Sequence, residues 1–271
     1  MRFFLSAFCL LLLTSCSNLL FVPFKPFPVT PDVVELGYED LFLDTDDGIR
    51  LHGWKLYAEG KKAGSIIFFH GNGDNISTQL PGSYWLAKKG YDVYVFDYRG
   101  YGQSEGRPDL DDTIRDMDRM IARSIREMDE GEKLVVMGHS LGGSMAVYVV
   151  AHSAHRDRIR ALVTVEAFSD YHDITQETLA RSWLLWLFQW PLSFTVSNAY
   201  SPEKAIGLVS PIPVLILHSR KDEMIDISHA EKLFQAAKPP KSFRLIDSGH
   251  NDIFNRKENR QVLLDYLQSL Q

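Results

Sequence analysis

One stretch decides the fold, and it reads Val135-Val136-Met137-Gly138-His139-Ser140-Leu141-Gly142-Gly143-Ser144. The apolar run 134–137 is typical of a buried strand, and the small and apolar residues 141–150 predict a helix. Residues 138–140 alone connect the two elements, so the chain must turn sharply at Ser140. Such a turn forces its central residue into a sparsely populated backbone conformation, at a cost of roughly 1–3 kcal/mol.

Glycines stand two positions before and two positions after Ser140. They fit the turn because side chains there would collide with the strand and helix that it brings together. The pattern Gly138-x-Ser140-x-Gly142 between a strand and a helix is the nucleophile-elbow signature. It predicts a hydroxyl exposed at the carboxyl edge of a sheet and at a helix N-terminus, where the helix dipole favours negative charge. Ser140 is therefore the candidate nucleophile.

Strands and helices alternate along the body of the chain, which is expected to run from residue 38 to residue 271. A hairpin is predicted from the alternating residues 40–45 and 49–54. Further strands are predicted at 65–69, 91–96, 159–165, 213–217 and 242–246, and helices at 80–89, 110–128, 227–237 and 259–270. Because strands that alternate with helices form parallel sheets with right-handed crossovers, the sequence predicts an α/β fold with a mostly parallel sheet and helices on both faces.

Loops after the last two predicted strands carry partners for the serine, and sites in such sheets lie at the carboxyl ends of the strands. A serine hydroxyl is inert without an adjacent base. His250 is the candidate base, and Asp222 would hold its tautomer and stabilise the imidazolium. The order Ser140, Asp222, His250 is the one used by the strand–helix fold that carries the elbow. Asp226 and Asp252 are alternatives to Asp222, which is favoured because it follows its strand sooner.

An oxyanion formed during attack by the serine needs two backbone N–H donors. Leu141, the residue after the nucleophile, is expected to supply one. The turn His70-Gly71-Asn72-Gly73 follows the strand 65–69, and Asn72 is expected to supply the other. His139 lies inside the elbow and is expected to be structural.

Taken together, these motifs resemble the α/β-hydrolase superfamily over roughly residues 38–270. The resemblance rests on the turn 70–73, the elbow, Asp222, Gly249-His250-Asn251-Asp252 and the loop Asp97-Tyr98-Arg99-Gly100-Tyr101-Gly102-Gln103-Ser104. The sequence is similar to the compact serine-hydrolase branch with membrane-associated acyl-protein thioesterases and lipid hydrolases, and more distantly to proline-iminopeptidase-like enzymes. The resemblance implies hydrolysis of carboxylic esters or thioesters of acyl or lipid type through an acyl-enzyme, with no metal or organic cofactor. In that family the loop 97–104 is mainly structural, so Arg99 is expected to pair with a carboxylate.

Two other functions stay open. A serine peptidase or amidase that acts on a free amine would need an acidic anchor, such as Glu166, Asp170 or Asp173. A catalytically silent binding protein of the cell envelope is the third hypothesis, although the three-part site argues against it. Haloalkane dehalogenases and epoxide hydrolases share the fold but carry Asp at the elbow, so Ser140 argues against both.

Residues 167–209 interrupt the alternation of strands and helices at the position where relatives insert a cap. The segment is short and crowded with Trp183, Leu184, Leu185, Trp186, Leu187, Phe188 and Trp190. It is either a small apolar lid that shapes an acyl or aromatic pocket, or a plain helix packed on the sheet. The sequence supports both alternatives equally.

The first fifteen residues read as an export signal. Arg2 is a short positive region, and the apolar run 3–13 is too short for a comfortable membrane span. The ending Leu13-Thr14-Ser15-Cys16 resembles the bacterial lipobox, which implies that Cys16 is lipidated and becomes the mature N-terminus. Ser17 follows in place of Asp, which by resemblance favours the outer membrane of a bacterial envelope. An uncleaved signal anchor is the alternative.

Residues 16–37 are expected to form an extended tether after the lipidated cysteine. Four prolines exclude a helix there, namely Pro23, Pro26, Pro28 and Pro31. The apolar residues of the segment could lie on lipid or on the folded body, and the sequence leaves both open.

Composition limits the partners of the chain. The formal net charge of −6, without a basic stripe, argues against a nucleic-acid partner. The two cysteines, Cys9 and Cys16, both precede the body, which excludes a disulfide framework or a cysteine metal site there. The expected partners are therefore an acyl substrate and, through the N-terminus, a membrane. The oligomeric state stays open.

Overall fold

The computed structural model describes residues 20–270, and within them eight strands form one sheet. The strands are β1 (Tyr38–Asp44), β2 (Arg50–Leu56), β3 (Gly64–Phe69), β4 (Tyr91–Phe96), β5 (Leu134–His139), β6 (Ile159–Val165), β7 (Val214–Ser219) and β8 (Lys241–Ile246). Their spatial order is β1-β2-β4-β3-β5-β6-β7-β8. β2 runs antiparallel to both β1 and β4, and every other neighbouring pair is parallel. The prediction of a mostly parallel α/β sheet is confirmed.

The helices of the described residues cover both faces of this sheet. They are α1 (Leu80–Ala87), α2 (Leu110–Glu127), α3 (Leu141–His152), α4 (Tyr171–Ala180), α5 (Gln189–Ser193), α6 (Pro202–Ile206), α7 (Ile227–Ala236) and α8 (Lys257–Ser269). Short 3-10 turns lie at Pro31–Val34, Arg156–Arg158, Trp186–Phe188 and Ile253–Asn255. Side chains of α2, α3 and α7 belong to one hydrophobic core, and those of α1 and α8 belong to a second.

The central strand β5 shows why the chain reads as a continuous apolar run there. All six of its residues are buried. Leu134 and Val136 join the core beneath α2 and α3, whereas Val135 and Met137 join the core beneath α1 and α8. Side chains of a strand alternate between faces, so a strand covered on both sides is apolar over most of its length.

Arg99 anchors the loop after β4 to the helix α2, as the sequence predicts. Its Nε and Nη2 atoms donate to the two carboxylate oxygens of Asp116 at 2.7 and 3.0 Å. Its Nη1 atom donates to Asp112 at 2.8 Å and to Asp47 at 3.0 Å. Arg99 is almost fully buried, so these carboxylates balance a charge that has left water.

Residues 21–30 form no helix or strand and lie along the body, whereas residues 31–34 of the predicted extended tether form a 3-10 turn. Phe21 is buried and belongs to the core beneath α2 and α3. The carbonyl of Phe24 accepts from the backbone N–H of Gly102 at 2.9 Å and from Asn75 Nδ2 at 3.0 Å. The segment therefore packs on the folded body, which was one of the two alternatives that the sequence left open. The predicted signal and Cys16 lie outside the described residues.

The insert between β6 and β7 forms a short apolar cap from α4, the turn Trp186–Phe188, α5 and α6. Asp170 caps α4 by accepting from the N–H groups of His172 and Asp173, and Tyr171 and Ile174 are buried beneath it. The large apolar side chains at the tip, from Trp183 to Phe188 together with Trp190 and Phe194, are exposed. The insert is thus several short helices with an exposed apolar tip, which excludes the single packed helix. Its role as a lid over a pocket stays a prediction. No helix within residues 20–270 has the length and hydropathy needed to cross a bilayer.

Candidate active site

Ser140 occupies the strained turn between β5 and α3. Its φ of 53° and ψ of −120° lie outside the regions that residues with a side chain usually adopt. A Cβ atom at Gly138 would lie 2.6 Å from the backbone of Gly142. A Cβ atom at Gly142 would lie 2.5 Å from the carbonyl oxygens of Phe69 and His70 at the end of β3. Gly142 must therefore be a glycine because the end of β3 packs against it. The spacing of the motif alone does not identify this neighbour.

The three residues predicted for the chemistry meet at the carboxyl edge of the sheet. Ser140 Oγ lies 3.0 Å from His250 Nε2, although 110 residues separate them. His250 Nδ1 lies 2.8 Å from Asp222 Oδ2. Ser140 follows β5, Asp222 follows β7, and His250 follows β8. A hydroxyl, an imidazole and a carboxylate thus form one continuous hydrogen-bonded chain.

Asp222 is held as an ionised acceptor. Its Oδ1 accepts from the backbone N–H groups of Met224 at 2.8 Å and Ile225 at 2.9 Å. Burial alone would raise the pKa of Asp222, but the hydrogen bond and charge of His250 and these N–H groups outweigh it, so the pKa lies below its usual value. A carboxylate here requires a proton on His250 Nδ1, which leaves Nε2 free to accept from Ser140.

Neither competing acid contacts the base. The side chain of Asp226 accepts from Ser228 N at 2.9 Å and caps α7. The carboxylate of Asp252 lies beside Gly249, where a Cβ atom would come within 3.2 Å of Asp252 Oδ1. Within residues 20–270 neither carboxylate is hydrogen-bonded to His250.

The predicted oxyanion donors flank Ser140 in the fold. The helix α3 makes its first hydrogen bond from Ser144 N to Ser140 O at 3.0 Å, so the N–H of Leu141 stands at the helix N-terminus. The turn 70–73 lies against the elbow, because a Cβ atom at Gly71 would lie 3.5 Å from Ser140 Cβ.

The side chain of Asn72 joins this turn to the N-terminal segment. Its Nδ2 donates to the carbonyl of Leu20 at 2.7 Å. Its Oδ1 accepts from the N–H of Val22 at 2.8 Å and from the hydroxyl of Tyr101 at 2.6 Å. The side chain therefore fixes the turn. The backbone N–H of Asn72 stays the predicted second donor to the oxyanion.

His139 contacts the loop that carries the base. Its Nε2 donates to the carbonyl of His250 at 2.9 Å, and the two rings lie 4.8 Å apart. Burial, helped by the neighbouring imidazole of His250, lowers the pKa of His139 to about 3. His139 is therefore neutral, and it positions the backbone of His250.

Glu166 belongs to the site, although the sequence suggested no catalytic role for it. It follows β6 with a φ of 48° and is fully buried. Its Oε2 lies 3.4 Å from His250 Nδ1 and 3.8 Å from His139 Nε2, and neither carboxyl oxygen is hydrogen-bonded within the described chain. Burial, followed by the charges of Asp222 and Asp252, raises the pKa of Glu166 to about 10. The sequence carries one indication that Glu166 belongs to the site, namely its position directly after a strand that ends at this edge of the sheet.

The raised pKa of Glu166 predicts a pH-dependent cost of folding. Between its ordinary pKa of 4.5 and about 10 the folded state keeps the proton that the unfolded state releases, so stability falls as pH rises through that window. The expected slope is up to about 1.4 kcal/mol per pH unit. Glu166→Gln keeps the shape and removes the ionisation, so the slope should be smaller in the variant. Equilibrium urea unfolding of both proteins at pH 5 and pH 8 measures this. Equal changes with pH in the two proteins would contradict the assignment of a neutral Glu166.

His139, Glu166 and His250 each bring one potential ligand atom to within 4.8 Å of the others, so this cluster could in principle hold a metal ion. However, both nitrogens of His250 are occupied, by Ser140 and by Asp222. His139 Nε2 is occupied by the carbonyl of His250. A metal would have to break these contacts, so the cluster fits a hydrogen-bonded frame around the imidazole better than a metal centre.

Comparisons with known proteins agree with this architecture. The family model described as serine aminopeptidase, S33, matches residues 60–210, more than half of the chain. The YfhR protein of Escherichia coli K12 is 31% identical, over 98% of this chain and 92% of its own. The alpha/beta hydrolase domain-containing protein WAV2 of Arabidopsis thaliana is 32% identical, over 84% of this chain and 77% of its own.

Solved structures share the fold at lower identity. The Pyrococcus furiosus esterase Pf2001 superposes with a TM-score of 0.73 at 21% identity, over 92% of this chain and 96% of its own. A soluble variant of monoglyceride lipase from Saccharomyces cerevisiae, in complex with a substrate analogue, superposes with a TM-score of 0.69 at 19% identity, over 91% of this chain and 97% of its own. With its elbow, its sheet order and its relatives all in agreement, the chain belongs to the serine aminopeptidase S33 family and is a hydrolase of the α/β type.

Proposed function

We propose that the chain is a serine hydrolase of carboxylic esters or thioesters with acyl or lipid-type substrates, in the manner of membrane-associated thioesterases and lipid hydrolases. The observation that carries the proposal is the continuous contact from Ser140 Oγ through His250 to Asp222, at 3.0 and 2.8 Å. These distances are those of a nucleophile within reach of its base and of a base oriented by an acid.

The reaction follows from this geometry. Ser140 Oγ attacks the substrate carbonyl while His250 Nε2 takes the hydroxyl proton, and Asp222 stabilises the imidazolium. The N–H groups of Leu141 and Asn72 donate to the oxygen that becomes negative. His250 then gives its proton to the leaving alkoxide or thiolate, which departs and leaves an acyl group on Ser140. Water, deprotonated by His250, releases the acid and restores the serine.

Hydrolysis of a peptide or arylamide with a free amine is the second candidate, which the description of the family model favours. Such a substrate needs a free carboxylate to bind its ammonium group. None of the three acids that the sequence offered is a free carboxylate: Glu166 is buried and keeps its proton, Asp170 caps α4 and accepts from Asn198 Nδ2 at 2.7 Å, and Asp173 pairs with Lys232 at 2.7 Å. This favours the ester or thioester substrate.

The substrate class is tested by comparing purified protein on p-nitrophenyl esters and thioesters of increasing acyl length with its activity on aminoacyl p-nitroanilides. We expect kcat/KM for the best acyl substrate to exceed that for the best anilide by about 100-fold or more, because none of the three candidate anchors is a free carboxylate that could bind the amine. Anilides with a free amine that react as fast as the esters would instead support the peptidase. Activity on neither class would support the silent binding protein.

We also propose that the protein is held in the bacterial envelope, in the outer membrane, by a lipid on Cys16, with residues 1–15 removed. The proposal rests on the sequence Leu13-Thr14-Ser15-Cys16 and the residue that follows it. Several acyl chains on one residue give a firm anchor, since each buried CH₂ contributes about 0.8 kcal/mol. Mass spectrometry of the mature N-terminus tests this, and an unmodified chain that begins at Met1 would contradict it.

A further inference from the structure

The tip of the cap exposes a continuous series of large apolar side chains. We name it the cap aromatic patch, and it consists of Trp183, Leu184, Leu185, Trp186, Leu187, Phe188, Trp190 and Phe194, which are between 38% and 89% exposed. Contiguous apolar surface of this kind is rare on proteins that stay in water, and it marks a surface that another molecule covers.

The chemistry of the patch favours a lipid surface over a protein or a second copy. Residues 182–202 contain no Asp, Glu, Lys or Arg, so the patch offers no charge to orient a protein partner. Three of the five tryptophans of the chain lie in the patch. Tryptophan is enriched where proteins meet the bilayer interface, because its ring is apolar and its N–H still reaches polar groups.

The N-terminal segment brings the chain to the same edge of the sheet. The carbonyl of Leu20 is bound by Asn72 in the loop after β3, and the cap follows β6 at its carboxyl end. Cys16 precedes Leu20 by four residues, a length of chain that reaches at most about 14 Å. A lipid on Cys16 therefore fixes this edge close to the membrane. This step rests on the proposed function, whereas the exposure of the patch does not.

We propose that the cap aromatic patch inserts into the surface of a phospholipid bilayer and turns the mouth of the active site toward lipid. The covalent anchor at the N-terminus and the patch on the cap then act as two contacts with one membrane. Because the patch carries no charge, its insertion is driven by apolar burial and is expected to be insensitive to salt and to the share of anionic lipid.

Tryptophan fluorescence tests the contact without relying on catalysis. The full chain is reconstituted into vesicles of dioleoyl phosphatidylcholine or of its dibrominated analogue, whose bromine atoms quench tryptophan at short range. Trp54 and Trp85 are buried in the body, and the first nineteen residues contain no tryptophan, so quenching reports the patch. We expect roughly half of the emission to be lost in the brominated vesicles, since three of five tryptophans would lie at the interface.

Two variants sharpen the measurement. Leu184→Asp combined with Leu187→Asp puts charges into the patch, at positions 62% and 73% exposed, and leaves every tryptophan in place. It should lose most of the quenching, because a carboxylate resists transfer into lipid. Leu208→Asp, at a position 54% exposed that precedes β7 at the opposite edge, is the matched control and should be quenched like the parent.

The remaining outcomes overturn the proposal in distinguishable ways. Protein that floats with the vesicles but emits equally in both lipids has its anchor in the membrane and its patch outside. In that case, quenching by aqueous iodide would show the patch in water, and protection from iodide would show it covered by protein. Protein that does not float with the vesicles would contradict both the patch and the anchor at Cys16.

Discussion

Replacing Ser140 by alanine is expected to lower the rate of ester hydrolysis about 10⁴-fold or more, equivalent to a loss of roughly 5.4 kcal/mol of transition-state stabilisation. The serine hydroxyl is the atom that His250 Nε2 contacts at 3.0 Å, and alanine has nothing to replace it. Serine already adopts the strained φ of 53° at this position, and alanine would adopt the same φ. The variant should therefore retain the fold while losing the nucleophile. Initial rates on a p-nitrophenyl ester and a thermal unfolding curve measure the two effects separately.

The control for this variant is Ser269→Ala at the end of α8. Ser269 is exposed, and its hydroxyl donates to the carbonyl of Tyr266, far along the chain from the elbow. The Ser269→Ala variant loses the same hydroxyl oxygen from a serine that has no part in the site, so the rate of ester hydrolysis should stay unchanged. A Ser140→Ala protein that keeps more than about a tenth of the parent rate would show that hydrolysis does not use this hydroxyl.

Asp222→Asn is expected to lower kcat by about 10⁴-fold with little loss of stability. The amide oxygen of asparagine can still accept from the N–H groups of Met224 and Ile225, which hold Oδ1 at 2.8 and 2.9 Å. Its NH₂ group then faces His250 Nδ1 and donates to it. That contact selects the tautomer with the proton on Nε2, which can no longer accept from Ser140. Steady-state kinetics on the same ester, with unfolding as a check, measures the effect.

The matched control is Asp226→Asn, because Asp226 was the competing acid from the same loop. Its side chain caps α7 through Ser228 N and has no hydrogen bond to His250 among the described residues. We expect it to keep the parent rate and to lose only the small stability of a cap. A large rate loss in Asp226→Asn together with an active Asp222→Asn would reverse the assignment of the acid.

The sequence alone was sufficient to predict the sheet and to name the three residues of the hydrogen-bonded chain. Strands covered on both faces are mostly apolar, so β4 and β6 could be placed at 91–96 and 159–165, where the structure has them. Ser140, Asp222 and His250 could be named because each follows a strand, and the carboxyl ends of parallel strands share one edge of the sheet.

Features that depend on packing between distant segments could not be predicted in this way. Glu166 was visible only as an acid after a strand, and its neutral state comes from burial and from two other carboxylates. The hydrogen bond from His139 to the carbonyl of His250 joins residues 111 positions apart. The path of residues 20–30 depends on Asn72, Asn75 and Ser77, whose side chains bind its backbone. None of these contacts has a periodic signal in the sequence.

The central claim is that the hydroxyl of Ser140 is made nucleophilic by His250, and a fluorophosphonate probe tests it most directly. Such probes phosphonylate a serine only where a neighbouring base activates its hydroxyl. Purified protein treated with the probe and analysed by peptide mass spectrometry should carry one adduct, on the peptide that contains Ser140, with no adduct there in a His250→Ala protein. An ester-hydrolysing protein that carries no adduct on Ser140, or carries it on a different serine, would contradict the account.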